Sequence, residues 1–315
     1  MPTGAVLAAK LSGKPIIDHQ LLAGILSEHQ AWLEGRGGAQ ANLTNAVLVH
    51  PDLKEANLRK AILTNATLVG ADLSKADLSS ADLRGSDLEG SNLHRTDLTG
   101  ADLHTACFDR CWLAEANLSE TRMHGTRFER AILRDCRMFD GRMKHCTFRG
   151  AVLVASKLND CVVEECDFGD CDLSGASLLR ARFHSCNFGS ARLYFGRFTG
   201  ARLIRCNLQQ VQGDSVTFER SDLDNCSMYR AVLPHCHFGS ASLNGVDLSY
   251  ADLQGANFAE AGLSATDLRG TILRGAREMS THQLSAARTS ESTTLPNGSR
   301  GPYVRGLGAE RPAMH

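Results

Sequence analysis

A five-residue period runs without insertion or deletion from residue 41 to residue 275. Every fifth residue from Leu43 to Leu273 is Leu, Phe, Met or Val, with Gly213 the single exception. Two residues before each of these centres stands a second register, from Ala41 to Thr271. It is Ala, Ser, Thr, Cys or Gly except at Pro51, Val211, Val216 and Val246. A helix buries residues three and four apart and a strand buries alternate ones, so neither accounts for a period of five. A fixed short repeat instead specifies a solenoid, whose units are incomplete alone and bury a continuous core by stacking. One large and one small inward residue in every five suit one short side of a coil, turned by the polar residues between.

The triplets Ala56-Asn57-Leu58, Ala101-Asp102-Leu103, Ala116-Asn117-Leu118 and Ala251-Asp252-Leu253 follow the pattern A-(D/N)-L-x-x. In this the chain resembles the pentapeptide-repeat family. The resemblance implies an all-β solenoid: a right-handed quadrilateral β-helix with four repeats, or twenty residues, per coil. Residues 41–275 then make nearly twelve coils, with short helical caps at both ends. The sequence supports a twenty-residue coil independently. Phe108, Phe128, Phe148, Phe168 and Phe188 are spaced by twenty, as are Phe198, Phe218, Phe238 and Phe258. The second column is ten residues out of phase, on the opposite wall, and begins where the first ends. Large therefore faces small across the core at each level, as close packing at constant volume requires.

Cysteine usage follows from the same geometry. Every Cys except Cys107 occupies the small inward register, and Cys146, Cys166, Cys186, Cys206 and Cys226 share one column. Free Cys behaves as a small hydrophobe, so thiols here fill slots otherwise taken by Ala or Ser. An odd count and no recognisable secretion signal fit a reducing, cytoplasmic compartment. Cys107 sits where side chains point outward, and it is the thiol expected to react.

Outside the repeats the sequence predicts ends. Residues 1–40 form an N-terminal segment in which Ile17, Leu21, Leu22, Ile25, Leu26, Ala31, Trp32 and Leu33 mark an amphipathic helix over 16–33. Asp18 is its N-cap, and its role is to cover the first coil, since an open solenoid end presents unpaired strand edges. Residues 276–289 form a C-terminal capping segment, with a helix from Ser280 or Thr281 through Arg288. The composition of residues 290–315 predicts a flexible tail. No apolar run approaches the roughly 20 residues of a membrane span.

Function must come from the outward surface. The net charge is −1, but its distribution is zoned. Acidic residues outnumber basic ones over 41–105 and 211–275, and the reverse holds over 106–160. Arg122, Arg142, Arg182 and Arg202 share one outward column, interrupted by Val162 and bounded by Asp102 and Asp222. Such a column is a candidate anion-binding stripe, and the alternative is a solvated face neutralised by neighbouring carboxylates. Trp112, Ile132 and Val152 stack where the repeat normally carries Asp or Asn, with Tyr194 and Phe195 further along the same side. These five are candidate partner-binding residues, the alternative being bulky residues that simply suit strands. Gly213 marks a bulge or slight bend, with Val211 and Val216 refilling the space.

Catalytic and metal chemistry find no support. His104 and His124 stack on adjacent rungs, but in His235-Cys236-His237 the middle residue points inward while its neighbours point out. No GxGxxG, P-loop, HExxH or GxSxG motif occurs, and no cofactor is implied. The expected function is a non-enzymatic protein–protein interaction scaffold. The resemblance supplies a second reading, because well-understood members bind DNA gyrase, imitate duplex DNA and confer quinolone or toxin resistance. Those members are strongly acidic and commonly dimerise through a C-terminal helix. This chain departs from them in its basic belt and near-zero net charge. Membrane binding and direct nucleic-acid binding are not expected, and a homodimer is open.

Overall fold

The computed structural model describes residues 14–48 and 50–312. The chain divides into two compact units, Met1–Val152 and Leu153–His315, and both are all-β parallel solenoids. One local rule builds them. In the first unit the outward residue Ile62 donates its N–H to Ala41 O at 2.9 Å, and its carbonyl accepts from Leu43 N at 2.7 Å. Within the repeats the same one-residue parallel bridge recurs at five-residue intervals to a partner twenty positions away, as in Asp77↔Asp97 or, in the second unit, Asp222↔Ser242. Centres and small residues on either side of each bridge point inward and are buried.

The five-residue motif has a mechanical reason at each position. Ala46 N–H closes a turn on Leu43 O at 3.0 Å. The residue before it, Asn45, has φ 59°, the left-handed conformation a type II turn needs at its second central residue. Asp or Asn at the outward position caps the turn: Asp72 Oδ1 accepts from Ser74 N and Asp97 Oδ1 from Thr99 N, both at 2.9 Å. That local Asx bond explains the preference for these two residues. In the small register a hydroxyl or thiol finds a backbone carbonyl, either of the preceding coil, as Thr96 Oγ1 does with Leu73 O at 2.7 Å and Cys136 Sγ with Leu113 O at 2.8 Å, or of its own turn, as Ser86 Oγ does with Leu83 O at 2.7 Å. Ser, Thr and Cys are thus tolerated inside because no buried polar side-chain atom among the described residues lacks a partner.

The phenylalanine columns stack as expected. In the first unit Phe128 lies 5.0 Å from Phe108 and 4.8 Å from Phe148, ring centroid to centroid. In the second, Phe168 stacks on Phe188 at 5.0 Å and Phe198 on Phe218 at 4.9 Å. Longer strands appear where the turn stays open. In the first unit these are β1 (Arg122–His124) and β2 (Arg142–Lys144), paired in parallel. In the second unit they are β3 (Val162–Glu164), β4 (Arg182–His184) and β5 (Arg202–Ile204). Gly213 makes no bulge: Arg192, Gln212 and Val232 keep their spacing of twenty in the ladder. Val211 and Val216 are fully buried, and a Cβ on Gly213 would meet Val216 Cγ2 at 2.7 Å.

The N-terminal helix α1 (His19–Leu33) begins later than the sequence predicts. Ile16 is instead bridged to Val47, and Val47 N donates to Pro15 O at 2.8 Å, so these residues cover an open edge of the first coil. Asp18 caps the helix as expected, its Oδ1 accepting from Leu21 N at 2.8 Å. In the second unit α2 (Thr281–Ala286) carries a capping box between Ser280 and Gln283 and stops short of Arg288. Arg288 has joined the ladder, donating from its N–H to Thr266 O at 2.8 Å.

The flexible tail expected from residue 290 is not what residues 290–296 form. Leu273 N donates to Thr294 O at 2.8 Å, and Leu295 and Thr293 are buried. Thr293-Thr294-Leu295 is a repeat triad displaced by the residues of α2, hence invisible to a search in phase. The chain then turns back, pairing Thr294 with Arg300 in antiparallel fashion, which covers the last edge.

Candidate functional site

The first unit brings Trp112, Ile132 and Val152 into one outward column, through the bridges Trp112↔Ile132 and Ile132↔Val152. Trp112 is 54% exposed and Ile132 43%, and Val152 is half-buried. The His94 ring lies 5.9 Å from the indole, tilted by 46°, and its Nδ1 is 2.9 Å from Ala114 O. The column thus has one edge held in place. Tyr194 and Phe195 belong to the second unit, where Phe195 is 65% exposed at a corner with φ 58°. Sequence reasoning missed Val232 and Ile272, also exposed. They stand in the same phase of twenty but are separated by Asp252, so they form no continuous patch.

The arginine column divides into two different situations. In the first unit Arg122 and Arg142 are exposed and directly opposite each other in β1 and β2, with His124 opposite Lys144. In the second unit Arg182 and Arg202 are likewise opposite in β4 and β5, but Arg202 Nε lies 3.4 Å from Asp222 Oδ2. His104 and His124 stack with centroids 5.9 Å apart and planes at 7°, and His145 meets His124 edge-on at 5.2 Å. Among the described residues no group of three or more His, Cys, Asp or Glu could hold a metal ion.

The expectation for Cys107 changes. The thiol is half-buried, and burial, with Asp109 and Asp87 adding to it, pushes its pKa up to about 11. It is therefore overwhelmingly the unreactive thiol at neutral pH. In the second unit Cys236 is buried between the exposed His235 and the half-buried His237, and His235 Nδ1 is 3.2 Å from Asp214 Oδ2. An open cleft of about 720 Å³ lies beside α1, lined by Leu21, Gly24, Ile25 and Ala39 with Asp18 and Glu28 among its polar groups. No described helix is long and apolar enough to cross a membrane.

Comparison with solved structures finds several of the same repeat type. HetL, a pentapeptide repeat protein involved in heterocyst differentiation regulation in Nostoc sp. strain PCC 7120, is 24% identical. The match covers 86% of this chain and 96% of HetL, with a TM-score of 0.41. QnrB1, a plasmid-mediated fluoroquinolone resistance protein, is 18% identical over 60% of this chain and 88% of its own, with a TM-score of 0.29. A pentapeptide repeat protein of the Arabidopsis thaliana thylakoid lumen is 20% identical over 34% of this chain and 67% of its own, with a TM-score of 0.23. No curated protein sequence matches. The profile described as pentapeptide repeats matches residues 41–79, 76–113, 111–153, 164–194, 197–230 and 236–275. These segments cover most of the chain and coincide with the bridged coils: the chain belongs to the pentapeptide repeat family.

Proposed function

We propose that the protein is a non-enzymatic interaction scaffold of the cytosol, with right-handed, four-sided coils presenting patterned outward columns to a protein partner. Turns at every fifth residue and ladder partners at every twentieth support the four-sided coil. The observation that carries the functional reading is the column Trp112–Ile132–Val152. At these positions the repeat prefers Asp or Asn for the local turn bond, so three successive apolar residues forgo that bond. Contiguous outward apolar residues that include an exposed Trp are the composition of a contact surface. Affinity capture from native cytosol with the intact chain and with Trp112→Glu tests it. The expected outcome is a partner whose Kd is weakened on the order of 30-fold by the substitution, the loss of a hot-spot contact of about 2 kcal/mol. Identical captures by both proteins would remove the column from any interface. A second copy of the chain as the partner would instead show as a dimer that Trp112→Glu dissociates.

A second reading, contact with DNA gyrase, is favoured by one feature of the first unit. Asp52↔Asp72, Asp77↔Asp97 and Asp82↔Asp102 stack like carboxylates on successive coils. A supercoiling assay with and without quinolone distinguishes it: protection of gyrase by micromolar protein supports this reading, and unchanged supercoiling ends it.

A further inference from the structure

Several cations of this protein meet a carboxylate on the neighbouring coil. In the first unit Lys75 Nζ meets Glu55 Oε1 at 2.9 Å and Arg95 Nε meets Glu115 Oε2 at 2.8 Å, each pair twenty residues apart. Arg127 is paired with Asp109 two residues short of that spacing. In the second unit Arg180 meets Asp160 at 2.6 Å and Arg202 meets Asp222. Arg122 and Arg142 differ in having a like charge as their ladder partner. They are placed directly opposite each other in a parallel ladder. Among the described residues neither has a carboxylate within ion-pair distance. The carboxylate nearest in the ladder, Asp102, is bridged to Arg122 through the backbone, yet its Oδ1 is taken by the backbone N–H of His104 at 3.2 Å and by the His104 ring.

Like charges opposite each other across a ladder are destabilising, and adjacent parallel strands hold them roughly 4.8 Å apart. The free protein therefore carries on one side a pair of guanidinium forks that no ion pair engages. His124 and Lys144 stand two residues along the same strands and face the same way. We propose that Arg122 and Arg142 together clamp a phosphoryl group carried on a serine or threonine of a protein partner. A phosphoryl group brings nearly two negative charges and three acceptor oxygens, enough to occupy both forks, whereas a carboxylate satisfies one. The surroundings argue against a polyanion track: Asp102 lies on the preceding coil, and the exposed Glu120 and Asp140 occupy the corners leading into β1 and β2. A long nucleic-acid strand would meet these carboxylates, while a single phosphoryl group between the arginines avoids them.

The inference rests on the scaffold reading only for the source of the phosphoryl group, and a purified peptide tests it without any captured partner, so the two fail separately. The experiment is fluorescence anisotropy on the full chain with a phosphoserine peptide of neutral flanking sequence. Its unphosphorylated form, inorganic phosphate and a short single-stranded DNA are the comparison probes. The expected result is binding that requires the phosphate and is weakened about tenfold or more by Arg122→Gln or Arg142→Gln, the loss of a charge-assisted contact. Arg134→Gln, on another side of the coil, leaves it unchanged. Without peptide, Arg142→Gln unfolds no earlier than the wild type, because it relieves the repulsion; this separates lost binding from lost folding. Three results overturn the proposal: no phosphopeptide binding at millimolar protein, equal binding of the unphosphorylated peptide, or tighter binding of the DNA or of inorganic phosphate through the same arginines.

Discussion

Replacing Phe128 by alanine is expected to cost the first unit about 3–5 kcal/mol, the usual range for truncating a fully buried phenylalanine. The side chain is wholly inaccessible and lies between two stacked rings, Phe108 at 5.0 Å and Phe148 at 4.8 Å. Its removal ends two aromatic contacts, each worth about 0.5–1.5 kcal/mol beyond burial. A coil of five-residue sides also has little freedom to collapse around a void, because every centre is flanked by backbone bonded to both neighbouring coils. Phe128→Leu should cost much less, since Leu is the commonest occupant of this register and the opposite wall already alternates in volume. Urea unfolding followed by far-UV circular dichroism reads the difference. In a solenoid each coil interacts only with its neighbours. The loss should therefore also appear as faster amide exchange centred on residues 108–148. A shift in midpoint equivalent to less than about 1 kcal/mol would mean that the column is loosely packed.

The repeats were legible because their information is local. Leu43 to Leu273 and the small register before them specify coil, phase and core without reference to distant contacts, and the phenylalanine spacing specifies the stacking partner. What escaped was set by interruptions of phase or by side-chain geometry. Thr293-Thr294-Leu295 escaped because α2 displaces the triad from the period, although residue by residue it reads as small, outward and centre. Ile16 escaped because a helical pattern continues across it, while its backbone is claimed by Val47. Cys107 was placed correctly outside the small register, but the shielding of its thiol depends on neighbours in adjacent coils. The sequence presents the arginine column as one stripe. Only the side-chain partners separate Arg202, which is neutralised by Asp222, from Arg122 and Arg142, which are not.

His29 fastens the N-terminal helix to the first coil, and its loss should open that end. The ring is wholly buried, stacked on Trp32 at 5.6 Å. Ala41 N–H donates to its Nδ1 at 3.0 Å, so the ring proton sits on Nε2 and is donated to the carbonyl of Arg59 at 3.1 Å. Both ring nitrogens thus satisfy backbone groups of the repeats, and only the neutral imidazole can do so. His29→Leu leaves the buried Ala41 N–H without a partner, at about 1–3 kcal/mol, and also frees the Arg59 carbonyl, and should lower the unfolding midpoint accordingly. The pH dependence gives a second signature. Burial holds the His29 pKa below its ordinary value, against a smaller opposing effect of the bond to Arg59. The unfolded chain therefore binds this proton more readily than the folded one. The stabilisation is fully present above the unfolded value of about 6.5 and is lost as pH falls from there towards the folded one. Thermal unfolding at several pH values between neutrality and mild acid should show the wild type losing stability faster than His29→Leu, in which this linkage is absent. Parallel profiles for the two proteins would place the acid sensitivity elsewhere than at His29.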